Sequence, residues 1–201
     1  NVLANFDPKI PKNYTNTDIL VLGNLDPKVQ LSVISQFEKR PKFTMLDTMN
    51  FWMDNTLDNL LKIISKVDLL CINDEEVIQL SGCEDYKNGI KKILTMGPKY
   101  LIMKKGEYGS TLYSDNLEFF CPSFKVKKVI DPTGAGDSFA GAFAGHLAES
   151  KNYTFESISS ALIYANAVAS FCVEKFGIEN MLNISKDEID KRISFIKKHN
   201  N

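Results

Sequence analysis

Long apolar runs are missing from this sequence of 201 residues. No stretch approaches the ~20 consecutive apolar residues that cross a bilayer, so no membrane partner is expected. A charge excess is missing as well. Lys plus Arg is 24 and Asp plus Glu is 25, a formal net charge of −1, which gives no basic field for nucleic acid. Cys71, Cys83, Cys121 and Cys172 contain no Cys-x-x-Cys spacing. They read as reduced, buried thiols of a cytoplasmic protein, not as disulfides or a zinc site. His146 and His199 lack metal-ligand spacing and read as structural or solvent-exposed. The first residues, 1–5, do not place a charged segment before an apolar one, so no leader peptide is expected. Nowhere does Gly-x-x-x-x-Gly-Lys-Ser/Thr occur, and no Gly-x-Gly-x-x-Gly follows the first apolar run. Those absences argue against a Walker-type nucleotide kinase and a dinucleotide-dependent dehydrogenase.

What is present is an alternation of short apolar runs and helical patterns. Strands are expected at 17–22, 43–46, 68–72 and 99–104. Between them, Asp26-Pro27 opens a helix with Val29, Val33, Ile34 and Phe37 on one face. Thr56 caps another that turns Leu57, Leu60, Leu61 and Ile64 inward, and further helices run from Asn73 and over 87–96. Strand and helix at this spacing imply crossover units and a mainly parallel sheet covered on both faces. The rhythm then changes. Residues 109–113 and 117–121 flank Ser114-Asp115-Asn116, a hairpin turn, so the sheet ends in antiparallel strands. Three helices close the chain, at about 135–149, 154–174 and 185–198. No linker divides it, and it reads as a single domain or part of one.

The stretch that organises the rest is Asp131-Pro132-Thr133-Gly134-Ala135-Gly136-Asp137-Ser138-Phe139. A β-rich, charged segment at 119–130 precedes it and a small-residue helix follows. Glycines let a ligand approach the main chain. The first N–H groups of a helix are unpaired and carry partial positive charge, which suits a phosphate. Asp137 falls in or beside the first helical turn, where an anion would be repelled. It is placed to take the proton of an attacking hydroxyl, or it simply caps the helix.

Those nine residues resemble the C-terminal signature of the PfkB, or ribokinase-like, carbohydrate kinases, and fit it at every position. The resemblance implies a three-layer α/β/α fold and transfer of phosphate from ATP to a hydroxyl of a sugar or nucleoside. It implies Gly134, Ala135, Gly136 and Asp137 as the anion hole, with Asp137 as catalytic base. It also implies that this is the C-terminal portion only, because family members carry upstream strands, a small β lid and most sugar-binding residues. The lids often pair, so a homodimer is implied for the full-length protein.

Several further positions carry both a plain reading and an implied one. Asn73 and Glu76 make a capping box. They also resemble the family's Asn-x-x-Glu, whose Glu organises Mg2+ through water. Lys105, Gly106 and Gly109 form a turn after a strand, and the family has a glycine-bearing segment there that lines the nucleotide. Asn166 sits in an Ala-rich helix where such an Asn is expected to face solvent. In the family it faces the adenine or ribose. Asp131 caps the turn before Thr133, or, as the resemblance implies, Asp131 and Thr133 hold a monovalent cation, usually K+, with Gly177 on a later loop. Asp47 and Asn50 resemble an Asp-x-Asn element near the phosphates. Trp52 reads equally as core or as function. Asp47, Asn73, Lys105 and the glycine loop all follow expected strands, the edge where open parallel sheets bind ligands. The rival readings are a vitamin kinase of the same superfamily and a non-catalytic nucleotide-binding relative.

Overall fold

The computed structural model describes Leu3 and residues 6–200. The extended start expected around residue 1 lies outside the described residues. The chain divides into two compact units, Asn1–Ile102 and Met103–Asn201.

The first unit contains the strands β1 (Ile19–Leu22), β2 (Phe43–Asp47) and β3 (Leu69–Asn73). They pair in parallel, with Ile19 opposite Phe43 and Met45 opposite Leu69. In β2 and β3 four successive residues are buried and the last is half-buried. That continuous burial is why both read as plain apolar runs with no alternation. The connecting helices are α1 (Pro27–Ser35), α2 (Asn50–Asn55), α3 (Leu57–Ile64), α4 (Asp74–Ser81) and α5 (Tyr86–Leu94). Asp26 caps α1 by accepting the Lys28 N–H at 2.8 Å, with Pro27 in the first turn as expected.

Two local expectations are corrected here. α1 ends at Ser35, so Phe37 lies beyond it, and the deepest residues of the helix are Pro27 and Gln30 while Val29, Val33 and Ile34 are half-buried. Thr56 does not cap α3 with its side chain. It also ends α2, and both its N–H and its hydroxyl donate to Trp52 O, at 3.0 and 3.3 Å. The preceding helix claims the hydroxyl, and Leu57 is left exposed while Leu60, Ile63 and Ile64 form the buried face.

β4 (Tyr100–Lys104) leads into the second unit, whose strands β5 (Ser110–Ser114) and β6 (Leu117–Cys121) form the expected antiparallel hairpin. The sheet order is β1-β2-β3-β4-β5-β6, in a three-layer α/β architecture. Three helices follow: α6 (Ala135–Ser150), α7 (Phe155–Cys172) and α8 (Lys186–Lys198). The central one is α7, which packs on α6, α8, β5 and β6. Thr154 caps it, and Ser185 caps α8 through a full capping box.

The segment expected to be β-rich departs from expectation. β6 stops at Cys121, and residues 122–134 are irregular. Pro122 has no N–H for a ladder, and Lys125, Lys127 and Lys128 are exposed. Side chains hold this stretch instead. Phe124 stacks edge-on against Phe195 of α8, with centroids 5.1 Å apart.

Candidate functional site

The glycine loop lies at the start of α6. Ala135 N–H donates to Pro132 O at 3.1 Å, closing a turn. Gly134 then takes a left-handed conformation, φ +82°, and heads the helix with no side-chain cap. Only glycine adopts that φ without strain. Ser138 N–H returns to Gly134 O at 2.8 Å. Among the described residues, none accepts from the N–H groups of Gly134, Gly136 or Asp137. The expected anion donors therefore narrow: Ala135 is already engaged by its turn, and three neighbouring amides remain.

Gly136 has no backbone reason to be glycine. Its φ is ordinary, and a Cβ added there would meet nothing within 4 Å. Its missing side chain leaves open space beside the backbone in the first turn of α6, which fits a phosphate at a helix N-terminus. Asp137 is exposed in the first turn of α6. Phe139, Ala140, Phe143 and Leu147 root that helix in the core, so the loop rides on a rigid element.

Asp131 does more than cap a turn. Its Oδ1 accepts Thr133 N–H at 3.0 Å and its Oδ2 accepts Gly177 N–H at 3.4 Å. These hold its carboxyl below the ordinary 3.8, the Thr133 N–H most strongly, with the Thr133 side chain and Gly177 adding to it. Ile130 N–H donates to Val173 O at 2.7 Å. The Cys172 thiol lies 3.6 Å from Thr133 O and 3.9 Å from Gly177 O. Gly177, distant in sequence, is thus gathered to Asp131 and Thr133 beside the glycine loop.

Two other expected nucleotide elements belong to this unit and carry structural duties. Lys105 N–H donates to Gly109 O at 2.8 Å, and Gly109 N–H to Gly106 O at 3.2 Å, so the turn closes on itself. Gly109 has φ +103°, and an added Cβ would fall 2.2 Å from Cys121 O. Here glycine is demanded by the protein's own backbone. Asn166 does not point to solvent freely. Its amide donates to Ser110 Oγ at 2.8 Å and to Leu162 O at 2.9 Å, tying α7 to β5.

In the first unit, Asn73 and Glu76 form both halves of the capping box. Glu76 N–H donates to Asn73 Oδ1 at 2.7 Å, and Asn73 N–H to Glu76 Oε2 at 2.8 Å. Glu76 is only 7% exposed. Asn50 opens α2 and accepts the Phe51 N–H at 2.9 Å. Trp52 is half-buried and donates to Asn24 Oδ1 at 2.8 Å, and the Asn24 amide donates to Met49 Sδ at 3.1 Å. Gln30, 2% exposed, donates to Gly23 O at 2.7 Å. Asn24 and Gln30 thus stitch the loops after β1 and β2. No pattern in the sequence marks this, because each is a lone amide in an otherwise ordinary loop or helix.

Among the described residues, no group of three or more His, Cys, Asp or Glu is placed to hold a metal ion. A dedicated protein cage is not the arrangement Mg2+ usually takes with nucleotides. It binds phosphates, waters and one or two carboxylates, which the Glu76 carboxylate suits.

The chain resembles known proteins along most of its length. The nucleoside kinase of Methanocaldococcus jannaschii is 30% identical over 194 residues, covering 94% of this chain and 58% of that protein. The cytidine kinase of Thermococcus kodakarensis is 29% identical over 136 residues, 67% of this chain and 49% of that protein. The chain spans about half the length of the curated relatives it matches. In structure, it superposes on the Methanocaldococcus jannaschii nucleoside kinase with TM-score 0.73 and 27% identity, covering 94% of this chain and 59% of that one. A fructokinase from Vibrio cholerae shares the fold, with TM-score 0.76 at 18% identity over 93% of this chain and 63% of that one. The model of the pfkB family of carbohydrate kinases matches residues 8–184, so the chain belongs to that family.

Proposed function

We propose that the protein transfers the γ-phosphoryl group of ATP to a hydroxyl of a sugar or nucleoside, and that the start of α6 is where the transferred group sits. The observation that carries this is the uncapped helix N-terminus: three amides without an acceptor among the described residues, open space beside Gly136, and Asp137 in the same turn. Asp137 accepts the proton of the attacking hydroxyl. The N–H groups of Gly134, Gly136 and Asp137, with the dipole of α6, stabilise the negative charge that builds on the phosphoryl oxygens. Glu76 would hold Mg2+ through waters, and the ion would supply charge neutralisation at the phosphates. Asp131 and the carbonyls of Thr133 and Gly177 would hold K+, and the hydrogen bond from Gly177 N–H to Asp131 supports that grouping. Lys105, Gly106, Gly109 and Asn166 line the nucleotide.

On this reading the 201 residues are the nucleotide-binding portion of a cytoplasmic sugar or nucleoside kinase, a homodimer at full length. The family and the names of the relatives support a small-molecule alcohol as substrate. The test is turnover by Asp137→Asn. A positioned base is worth roughly 10²–10⁴ in rate, so phosphate transfer is expected to fall by that factor while Mg–ATP still binds. Turnover near wild type would remove Asp137 from the role of base.

A further inference from the structure

We infer that Arg192 of α8 is a positioning residue for the glycine loop. Its side chain is 12% exposed. It pairs with Glu174, donates to Ser170 Oγ at 2.7 Å, and lies 3.4 Å from the Phe171 ring centroid and 4.4 Å from that of Phe124. One guanidinium thus holds two pieces of chain. Phe124 belongs to the irregular segment that enters the glycine loop. Glu174 belongs to the turn that leaves α7 and reaches Gly177.

These two pieces meet beyond Arg192. Ile130 and Asp131 donate to Val173 O at 2.7 and 3.4 Å, and Gly177 N–H reaches Asp131 at 3.4 Å. Behind the turn lies a polar cavity of ≈ 260 Å³ lined by Glu174, Lys175, Asn180, Glu188 and Arg192 among others. No side chain fills it, so packing alone does not fix the turn on that side. Arg192 and the bond from the Asn180 amide to Phe171 O, 2.9 Å, take that part. A planar fork between two rings does what an ammonium cannot, because it pairs with a carboxylate and stacks at once. Breaking one partner leaves the other charge uncompensated in a half-buried place. The consequence for catalysis rests on the proposed phosphate role of the loop. The consequence for loop order does not.

The test measures amide hydrogen exchange and Mg–ATP affinity by calorimetry in wild type, Arg192→Met, Arg192→Lys, Glu174→Gln, the Met/Gln double variant, and Lys197→Met, an exposed control on the same helix. In Arg192→Met, exchange at the hydrogen-bonded amides of Ile130, Asp131, Thr133 and Gly177 is expected to rise about tenfold or more, with residues 139–147 unchanged. Mg–ATP affinity should weaken roughly tenfold, Arg192→Lys should recover only part, and the double variant should be no worse than the single ones, as for one shared interaction. Unchanged exchange at the amides of Ile130, Asp131, Thr133 and Gly177 in a folded Arg192→Met overturns the inference. If that variant does not fold, Glu174→Gln, which removes only the ion pair, decides it by the same readout. Absence of ATP binding in wild type would defeat the proposed function, and the exchange arm would still decide the positioning role.

Discussion

α4 and α6 both begin at a loop that carries an expected site residue, and they satisfy their first turns in opposite ways. At α4, Asn73 and Glu76 exchange backbone and side-chain bonds, so two orphan donors are paired and the carboxylate is buried. At α6, Gly134 offers no side chain, three amides lack an acceptor among the described residues, and the carboxylate of Asp137 is exposed. The other helices of the second unit, α7 and α8, are capped by Thr154 and Ser185. A start such as that of α4 is finished without a ligand. The start of α6 is finished only by water or by an anion, and with Gly134 at the cap it sacrifices only a few tenths of a kcal/mol, on the order of 0.3, relative to a capping side chain. The glycines make the same contrast. Gly109 is required by a neighbouring backbone, whereas Gly136 faces empty space.

That contrast is open to attack at several points. The largest stability effect is expected for Gly109→Ala, whose Cβ would collide with Cys121 O at 2.2 Å in a backbone of φ +103°. Thermal or urea unfolding should show a loss of at least about 1–3 kcal/mol. Gly136→Ala should be close to neutral, and equal losses at the two positions would break the distinction. Next, Asn73→Ala should cost about 0.5–2 kcal/mol, because it removes a real cap. Glu76→Gln should cost less, since Gln also serves in a capping box, yet it should weaken the Mg2+ dependence of nucleotide binding. A variant with wild-type Mg2+ dependence would leave Glu76 as a cap alone.

The smallest effect concerns pH. Asp131 titrates below its ordinary 3.8 in the folded protein. The stability it supplies is therefore fully present above that value and lost as pH falls through the lowered pKa. Wild type and Asp131→Asn should differ in unfolding temperature at neutral pH and converge in acid. A difference that stays constant down to the acid limit would contradict this.

Much of the fold was legible because burial wrote itself into the sequence. The runs in β2 and β3 are apolar without alternation because both faces are covered, and the hairpin turn at Ser114-Asp115-Asn116 has polar turn chemistry. The capping box was legible because its two partners are three residues apart. What stayed hidden depends on contacts distant in sequence. Residues 122–134 contain Phe, Val and Ile and so look like strand, but no strand pairs with them, and Arg192 and Phe195 of α8 anchor Phe124 instead. The short helix α2 went unread because six residues cannot display a helical period. In the glycine loop, residue types pointed to an anion site. The engagement of Ala135 N–H by Pro132, and the reach of Asp131 to Gly177, needed coordinates.

The central claim is that the open amides of α6 hold the phosphates. It is tested most directly by calorimetric titration with Mg–ATP of wild type, Asp137→Asn and Gly136→Val, each checked for fold by circular dichroism. A Cβ at 136 meets nothing within 4 Å, so a Val side chain has room in the protein and would crowd a ligand that approaches the backbone there. The account predicts that wild type and Asp137→Asn bind and that a folded Gly136→Val does not. Binding by Gly136→Val at wild-type affinity would contradict it.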